Sequence, residues 1–133
     1  MLLDNKKTTL LVAVCGLHMR GFPLERQMIE YHAKFLREDN TAAKYKLYKL
    51  PTVPAKPGLI KQTADGYSIR LEIWEMPLEE FGAFTAGIPA PLGIGKVELE
   101  NGEEVSGFIC EGYAALGAED ITSSRGWRNI SQS

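Results

Sequence analysis

The residues from Cys15 to Gly21 are the part of the sequence whose types and spacing best suit chemistry. They read Cys-Gly-Leu-His-Met-Arg-Gly and directly follow an apolar run. A buried strand that ends at Gly16 and then turns exposes successive backbone N–H groups, and such amides can bind a carboxylate. His18 could exchange a proton there near neutral pH. The plainer interpretation is a glycine turn with a solvated histidine, and the pattern alone favours it.

Other reactive combinations of cysteine and histidine are weaker. Cys15 and His18 lack a third, orienting group, so we reject a thiol nucleophile with its base. We predict that Cys15 and Cys110 are buried free thiols in a reducing cytoplasm, and a disulfide between them is less favoured. We expect no metal site, because His18 and His32 have neither the spacing nor the neighbours of a ligand set. A surface or packing role is predicted for His32.

A stretch rich in lysine follows in the middle of the sequence. Between Thr41 and Ala64 there are five lysines and no acidic residue. We expect most of them to lie on a solvated strand face balanced by an acidic hairpin, whereas Lys56 is the candidate to attract an anionic substrate. The apolar loop 87–95 is either packing or a pocket wall. The lysines are Lys44, Lys46, Lys49, Lys56 and Lys61, and the hairpin acids are Glu98, Glu100, Glu103 and Glu104.

The hydrophobic pattern predicts the elements that must position these residues. The run from Thr9 to Cys15 is continuously apolar, which is typical of a central strand covered on both faces. After Pro23, a stripe that starts at Leu24 and reaches Phe35 at helical spacing predicts a helix, with an end before Phe35 left open. Strands are also predicted at 44–50 and at 69–73. In the second of these, apolar and charged residues alternate, so that residue 72 is expected to face solvent. A short helix is predicted from 77 to 87.

Proline and glycine residues predict the connections. Pro51 to Gly58 indicates an irregular link, and Asn101-Gly102 indicates a β-hairpin with a bulge that places Leu99 opposite Val105. Tyr113 and Trp127 are assigned to the core, with a pocket-lining position as the alternative. Five or six strands with two or three short helices make the fold class α+β, with a small mixed, mainly antiparallel sheet or open barrel.

Length and composition restrict the class of protein. A chain of 133 residues allows one domain, which we assign to residues 1–133 with an ordered core at about 9–128. Hydrophobic content of 44% and charged content of 24% exclude disorder, collagen and coiled coil. The apolar run Leu10–Leu17 is too short to span a membrane. With a net charge of −2, nucleic acid is not an expected partner.

Motifs recur along most of the chain, from about Leu10 to Trp127. They are residues 16–24 (GLHMRGFPL), 45–48 (YKLY), 56–59 (KPGL), 87–95 (GIPAPLGIG), 105–111 (VSGFICE), 119–122 (EDIT) and 126–128 (GWR). In this order they resemble the C-terminal domain of allophanate hydrolase, and the stretch at 87–95 is the most specific of them.

The resemblance implies a γ-glutamyl cyclotransferase-like fold, a small mixed barrel with helices beside it. In the full enzyme of that family, an amidase domain converts allophanate to N-carboxyurea and ammonia. The C-terminal domain then promotes loss of carbon dioxide from N-carboxyurea, which leaves urea. The histidine of the Gly-x-His motif corresponds to His18, so the resemblance reverses the plainer interpretation of this residue.

The resemblance also implies a site without metal or cofactor. Its catalytic residue would be His18, its ligand a small anionic ureido or carboxylate compound, and its partner an amidase domain or subunit. A homodimer is left open. The expected substrate-binding residues are Cys15, Gly16, Leu17, Met19, Lys56, Pro57, Gly58, Leu92 and Gly93.

Two departures from the family patterns keep alternatives open. The cyclotransferases use a glutamate in the neighbourhood of residues 84–88, where this sequence has no acid, so glutamyl cyclisation is a weak alternative. No amidase domain is present, so the chain is not expected to complete allophanate hydrolysis alone. A second alternative is a non-catalytic partner or assembly module for an amidase. His32 stands where the family usually has glycine, which leaves the local helix end uncertain.

Overall fold

Two β-sheets and two α-helices make up the structure, a computed structural model that describes residues 8–130. No helix in this range is long and apolar enough to cross a membrane. The strands are β1 Thr9–Val14, β2 Lys34–Asn40, β3 Tyr45–Leu50, β4 Lys56–Lys61, β5 Arg70–Pro77, β6 Leu92–Glu98, β7 Glu104–Cys110 and β8 Glu119–Asp120. The helices are α1 Glu25–Glu30 and α2 Leu78–Ala86, and short 3₁₀ helices occur at Gly112–Ala115, Thr122–Ser124 and Trp127–Asn129.

The first strand lies at the centre of the larger sheet. The strand order is β2-β5-β1-β7-β6, and β1 pairs antiparallel with β5 and parallel with β7. Val12, Ala13 and Val14 are buried on both sides of this sheet. The prediction of a central strand from the continuous apolar run is therefore confirmed, and Gly16 begins the turn just beyond its carboxyl end.

The smaller sheet has the order β4-β3-β8 and contributes to the same hydrophobic core, through residues such as Leu47 and Leu59. The irregular link predicted over Pro51 to Gly58 is partly wrong, because β4 already begins at Lys56. An edge strand can contain Pro57, since its missing N–H removes no hydrogen bond to a further strand. This placement brings Lys56 and Pro57 beside the end of β1.

The structure differs from the sequence prediction in the number and ends of elements. There are eight strands rather than five or six, because β2, β4 and the two-residue β8 were not predicted. The first helix stops at Glu30, and Phe35 lies in β2. The second helix is confirmed, from Leu78 to its cap at Gly87. The sheets are open, and the α+β class is confirmed.

The hairpin β6–β7 is confirmed but its predicted register is wrong. Val97 lies opposite Val105, and Leu99 donates its N–H to the carbonyl of Glu103 over 2.7 Å. The loop is therefore three residues long and ends with Gly102 at φ +91°, a conformation that suits glycine. Leu99 is buried and forms an antiparallel bridge with Thr41, which directly follows β2. The predicted pairing of Leu99 with Val105 is therefore not needed to bury it.

Two side chains lie in environments opposite to their predictions. Glu72, predicted to face solvent in an alternating strand, is 1% exposed because β5 is flanked by β1 and β2 and its outer face is covered. Tyr113, assigned to the core, is 65% exposed on a 3₁₀ helix. Trp127 is buried as predicted.

His32 ends the first helix in a left-handed conformation, with φ +62°. Its N–H donates to the carbonyl of Ile29, and the N–H of Ala33 donates to the carbonyl of Met28. These two bonds form a Schellman motif, in which the residue at the position of His32 is usually glycine. The backbone therefore favours glycine at this position, and His32 occupies it at a conformational cost.

A His32→Gly variant is expected to be more stable, with a free energy of unfolding about 0.5–1 kcal/mol above that of the wild type. The reason is that glycine adopts positive φ without steric strain. The gain is limited by the loss of the exposed contact between His32 and Glu80. Urea denaturation followed by circular dichroism measures the difference. A His32→Ala variant is the matched control, since it loses the same contact and keeps the strain; equal stability of the two variants would contradict the explanation.

Candidate functional site

A cavity of about 250 Å³ opens at the carboxyl end of β1, where five parts of the fold meet. The loop after β1 forms one wall, α1 and β4 form two more, and the segment before β6 and the strand β7 complete it. The lining residues are Val14, Cys15, Gly16, Leu17, His18, Leu24, Gln27, Lys56, Pro57, Gly87, Ile88, Pro89, Leu92 and Phe108.

The imidazole of His18 is held in this cavity from three sides. Its Nε2 atom forms a hydrogen bond of 2.8 Å with Oε1 of Gln27. The Phe108 ring lies 4.8 Å away in a tilted stack, and the Phe84 ring meets the imidazole edge-on at 5.5 Å between ring centres. The ring is thus neither turned into solvent nor packed without a cavity beside it.

The electrostatic setting keeps His18 neutral. Burial lowers the pKa of His18 below its ordinary value of 6.5, and the nearby positive charge of Lys56 lowers this pKa further, while the hydrogen bond to Gln27 opposes both. An imidazole that is neutral at pH 7 can accept a proton and return it. Lys56 then carries the positive charge among the lining residues, which favours an anionic ligand.

The backbone of the loop supplies hydrogen-bond donors. Its own turn is closed by the N–H of Met19, which donates to the carbonyl of Gly16, and by the N–H of Leu24, which donates to Leu17. Within residues 8–130, no group accepts a hydrogen bond from the amides of Leu17 and His18. Both residues line the cavity.

Glycine at position 16 permits the close approach of β4. A Cβ built on Gly16 would overlap the ring of Pro57, which cannot move aside as a flexible side chain could. The absence of a side chain therefore lets the start of β4 close one wall of the cavity. It also brings Lys56 to the same opening as His18.

Six of the nine residues expected to bind substrate line the cavity, and three do not. Met19 is buried and faces a second cavity, beside Trp127, and its N–H closes the turn. Gly58 packs against the sulfur of Cys110, and Gly93 pairs with Ile109 in the hairpin β6–β7. Neither glycine lines the cavity. The six lining residues are Cys15, Gly16, Leu17, Lys56, Pro57 and Leu92.

The side chains that contact His18 directly were not predicted from the sequence as site residues; they are Gln27, Phe84 and Phe108. Gln27 is a polar residue on a short amphipathic helix, and by pattern alone it resembles a solvent-facing position. Phe108 reads as an ordinary core residue of a hairpin strand. The available signal was the spacing of Gln27 from Leu24, which places both on the side of α1 that faces the loop.

The remaining candidates have structural surroundings. Burial, with a smaller effect of Cys110, raises the pKa of the Cys15 thiol to about 12, and both cysteines are free. Lys44 and Lys61 each pair with Glu98 at 3.0 Å, as expected for a strand face balanced by the acidic hairpin. Across residues 8–130, no three His, Cys, Asp or Glu side chains are grouped to hold a metal ion.

Comparison with known proteins places the chain in a family. The family model described as the allophanate hydrolase C-terminal domain matches residues 10–132. The chain belongs to this family. The urea amidolyase of Saccharomyces cerevisiae is 44% identical over 129 residues, which are 93% of this chain and 7% of that protein. The chain therefore spans about 7% of the length of this curated relative.

Solved structures give the same family and the fold. Allophanate hydrolase of Kluyveromyces lactis is 41% identical with a TM-score of 0.88, over 96% of this chain and 22% of that one. A uropathogenic E. coli-specific protein is 39% identical with a TM-score of 0.85, over 91% and 94% of the two chains. A gamma-glutamyl cyclotransferase, at 13% identity and a TM-score of 0.54, shows likeness of fold alone. The family and fold implied by the sequence motifs are confirmed.

Proposed function

We propose that this allophanate hydrolase C-terminal domain promotes the decarboxylation of N-carboxyurea to urea and carbon dioxide, and that His18 moves the proton. The observation that carries the proposal is the imidazole of His18 at the wall of a cavity that Lys56 and Leu17 also line. The proposed location is the cytoplasm, which suits two free thiols.

The size and charge of the cavity fit a small planar anion. A volume of about 250 Å³ corresponds to roughly eight water molecules at about 30 Å³ each, enough for a molecule with few non-hydrogen atoms. Lys56 attracts the carboxylate, and the amides of Leu17 and His18 donate hydrogen bonds to ligand oxygens. Apolar walls from Leu92 and Phe108 exclude water and flank the flat ureido group.

The reaction needs one proton to move from oxygen to nitrogen. N-carboxyurea in its acid form gives its carboxyl proton to His18, and the carboxylate that results pairs with Lys56. The imidazolium of His18 then returns the proton to the nitrogen that bears the carboxyl group. The C–N bond breaks, its electron pair stays on that nitrogen, and carbon dioxide leaves. The products are urea and carbon dioxide, and His18 ends neutral, as it began. Holding the imidazole and the substrate together makes this transfer intramolecular.

A glutamyl cyclisation is less well supported. The cavity lining contains no aspartate or glutamate in the part of the chain that the structure describes. The acid nearest in sequence to residues 84–88 is Glu80. Its carboxylate accepts a hydrogen bond from His32 on the surface. An amidase domain or subunit would instead supply N-carboxyurea to this site.

Release of carbon dioxide tests the proposal. N-carboxyurea is generated in situ by an allophanate-cleaving amidase without this domain, and ¹³C NMR follows labelled N-carboxyurea, urea and bicarbonate. The rate of urea formation is expected to rise in proportion to the concentration of this chain, above the spontaneous rate. A rate that does not depend on the chain would overturn the catalytic proposal and favour the non-catalytic assembly module. Heat-denatured chain is the control for added protein.

A further inference from the structure

Gln27 occupies a constrained position beside the imidazole of His18. It lies in α1, whose start is tied to the histidine loop because the N–H of Leu24 donates to the carbonyl of Leu17 over 2.9 Å. The N–H of Gln27 in turn donates to the carbonyl of Leu24 over 3.0 Å. The Gln27 side chain is therefore connected through two backbone hydrogen bonds to the loop that carries the ring it contacts.

The chemistry of this contact selects one form of the imidazole. The Gln27 amide turns Oε1 toward the ring, 2.8 Å from Nε2 of His18. A carbonyl oxygen only accepts hydrogen bonds, so this orientation of the amide pairs with the tautomer that carries its hydrogen on Nε2. Phe84 and Phe108 hold the plane of the ring, but they have no polar atoms that could distinguish its two nitrogens. Among the groups in contact with the ring, selection of the tautomer rests on Gln27.

We infer that Gln27 is a positioning residue that holds His18 as the Nε2–H tautomer, so that Nδ1 is the atom that accepts and returns the substrate proton. This inference rests on the proposed function for its catalytic half. Its structural half, the tautomer, is independent of any reaction. Gln27 itself need not touch the substrate to play this part.

A neutral partner suits this task better than a charged one. A carboxylate at the same place would stabilise the imidazolium and resist return of the proton to the substrate, whereas an amide fixes the ring without adding charge. The other titratable groups that line the cavity are Cys15, which stays protonated, and Lys56, whose charge opposes protonation of the ring. Gln27 thus orients His18 while the ring stays neutral.

NMR of the imidazole nitrogens, with ¹⁵N-labelled histidine in the ligand-free chain, tests the tautomer. In the wild type near pH 7.5, the resonances of His18 are expected to show protonated Nε2 and bare Nδ1. In Gln27→Leu and in Gln27→Asn, whose shorter amide does not reach the ring, a mixture of tautomers is expected. His32→Ala identifies the His18 signals by removing the other histidine. A bare Nε2 in the wild type, or an unchanged tautomer in both variants, would overturn the inference.

Kinetics on the same variants separates this inference from the proposed function. This test requires a wild-type chain that accelerates decarboxylation. In such a chain, Gln27→Leu and Gln27→Asn are each expected to lower kcat about tenfold with little change in KM, because one orienting hydrogen bond is lost. Gln27→Glu, which keeps the acceptor, is expected to retain the tautomer and to raise the pKa of His18. Unchanged kcat in both of the first two variants would overturn the positioning role. A wild-type chain without activity would overturn the proposed function while the NMR result still decides the tautomer.

Discussion

Replacing His18 with alanine is expected to lower the chain-dependent rate of carbon dioxide release by at least about 10²-fold, the typical contribution of a positioned acid–base group. The side chain that the variant lacks is the neutral imidazole at the cavity wall, whose hydrogen bond to Gln27 and contacts with Phe84 and Phe108 hold it in place. The lining of Leu17 and Lys56 remains, so binding of an anion is expected to weaken less than turnover. Urea formation at several concentrations of N-carboxyurea separates the two effects.

The second histidine of the chain provides a matched control for this experiment. His32 is 72% exposed, pairs with Glu80 and lies outside the cavity lining. A His32→Ala variant is therefore expected to keep the wild-type rate. His18→Gln, which is closer in size, guards against a collapse of the cavity in the alanine variant. Equal rates for the wild type and both His18 variants would remove His18 from the mechanism.

The position of the cavity was predictable from the sequence because it depends on a local signal. A continuous apolar run that stops at Gly16 forms the central strand of the sheet, and the loop after it carries His18. The sequence also indicated the second helix, since Pro77 and Gly87 bracket a short apolar stripe. The resemblance of the motifs to a known family added the role of His18, which remains a proposal.

The misplaced elements depend on contacts between distant parts of the chain. Glycine and proline in KPGL predict a turn, but a place at the edge of a sheet allows these residues to form the start of β4. In the observed hairpin, Leu99 bridges to Thr41, which directly follows β2, a strand that was itself not predicted. Gln27 and Glu72 were missed for the same reason, because a polar residue at a regular spacing indicates solvent until its partners are known.

Replacing Glu72 with alanine is expected to lower the free energy of unfolding by about 2–4 kcal/mol, because the buried indole N–H of Trp74 and the backbone N–H of Arg20 lose their acceptor. Glu72 is 1% exposed and accepts four hydrogen bonds of 3.0–3.1 Å. They come from the backbone and side chain of Arg20 and from the side chains of Trp74 and Arg128. Without the carboxylate, these donors lose their acceptor, and the expected loss is a large part of the roughly 5–15 kcal/mol that stabilises an ordinary domain.

Glu38 is the matched control, because it pairs with Arg20 and Arg70 but its side chain is 44% exposed. Water replaces such contacts, so Glu38→Ala is expected to cost far less than Glu72→Ala in urea denaturation. Similar losses in the two variants would show that burial of Glu72 does not determine the effect. Since Arg20 follows His18 by two residues, Glu72 also anchors the loop of the candidate site to β5. Folded Glu72→Ala protein is therefore expected to lose the ordered contact between His18 and Gln27, which NMR of the imidazole nitrogens detects.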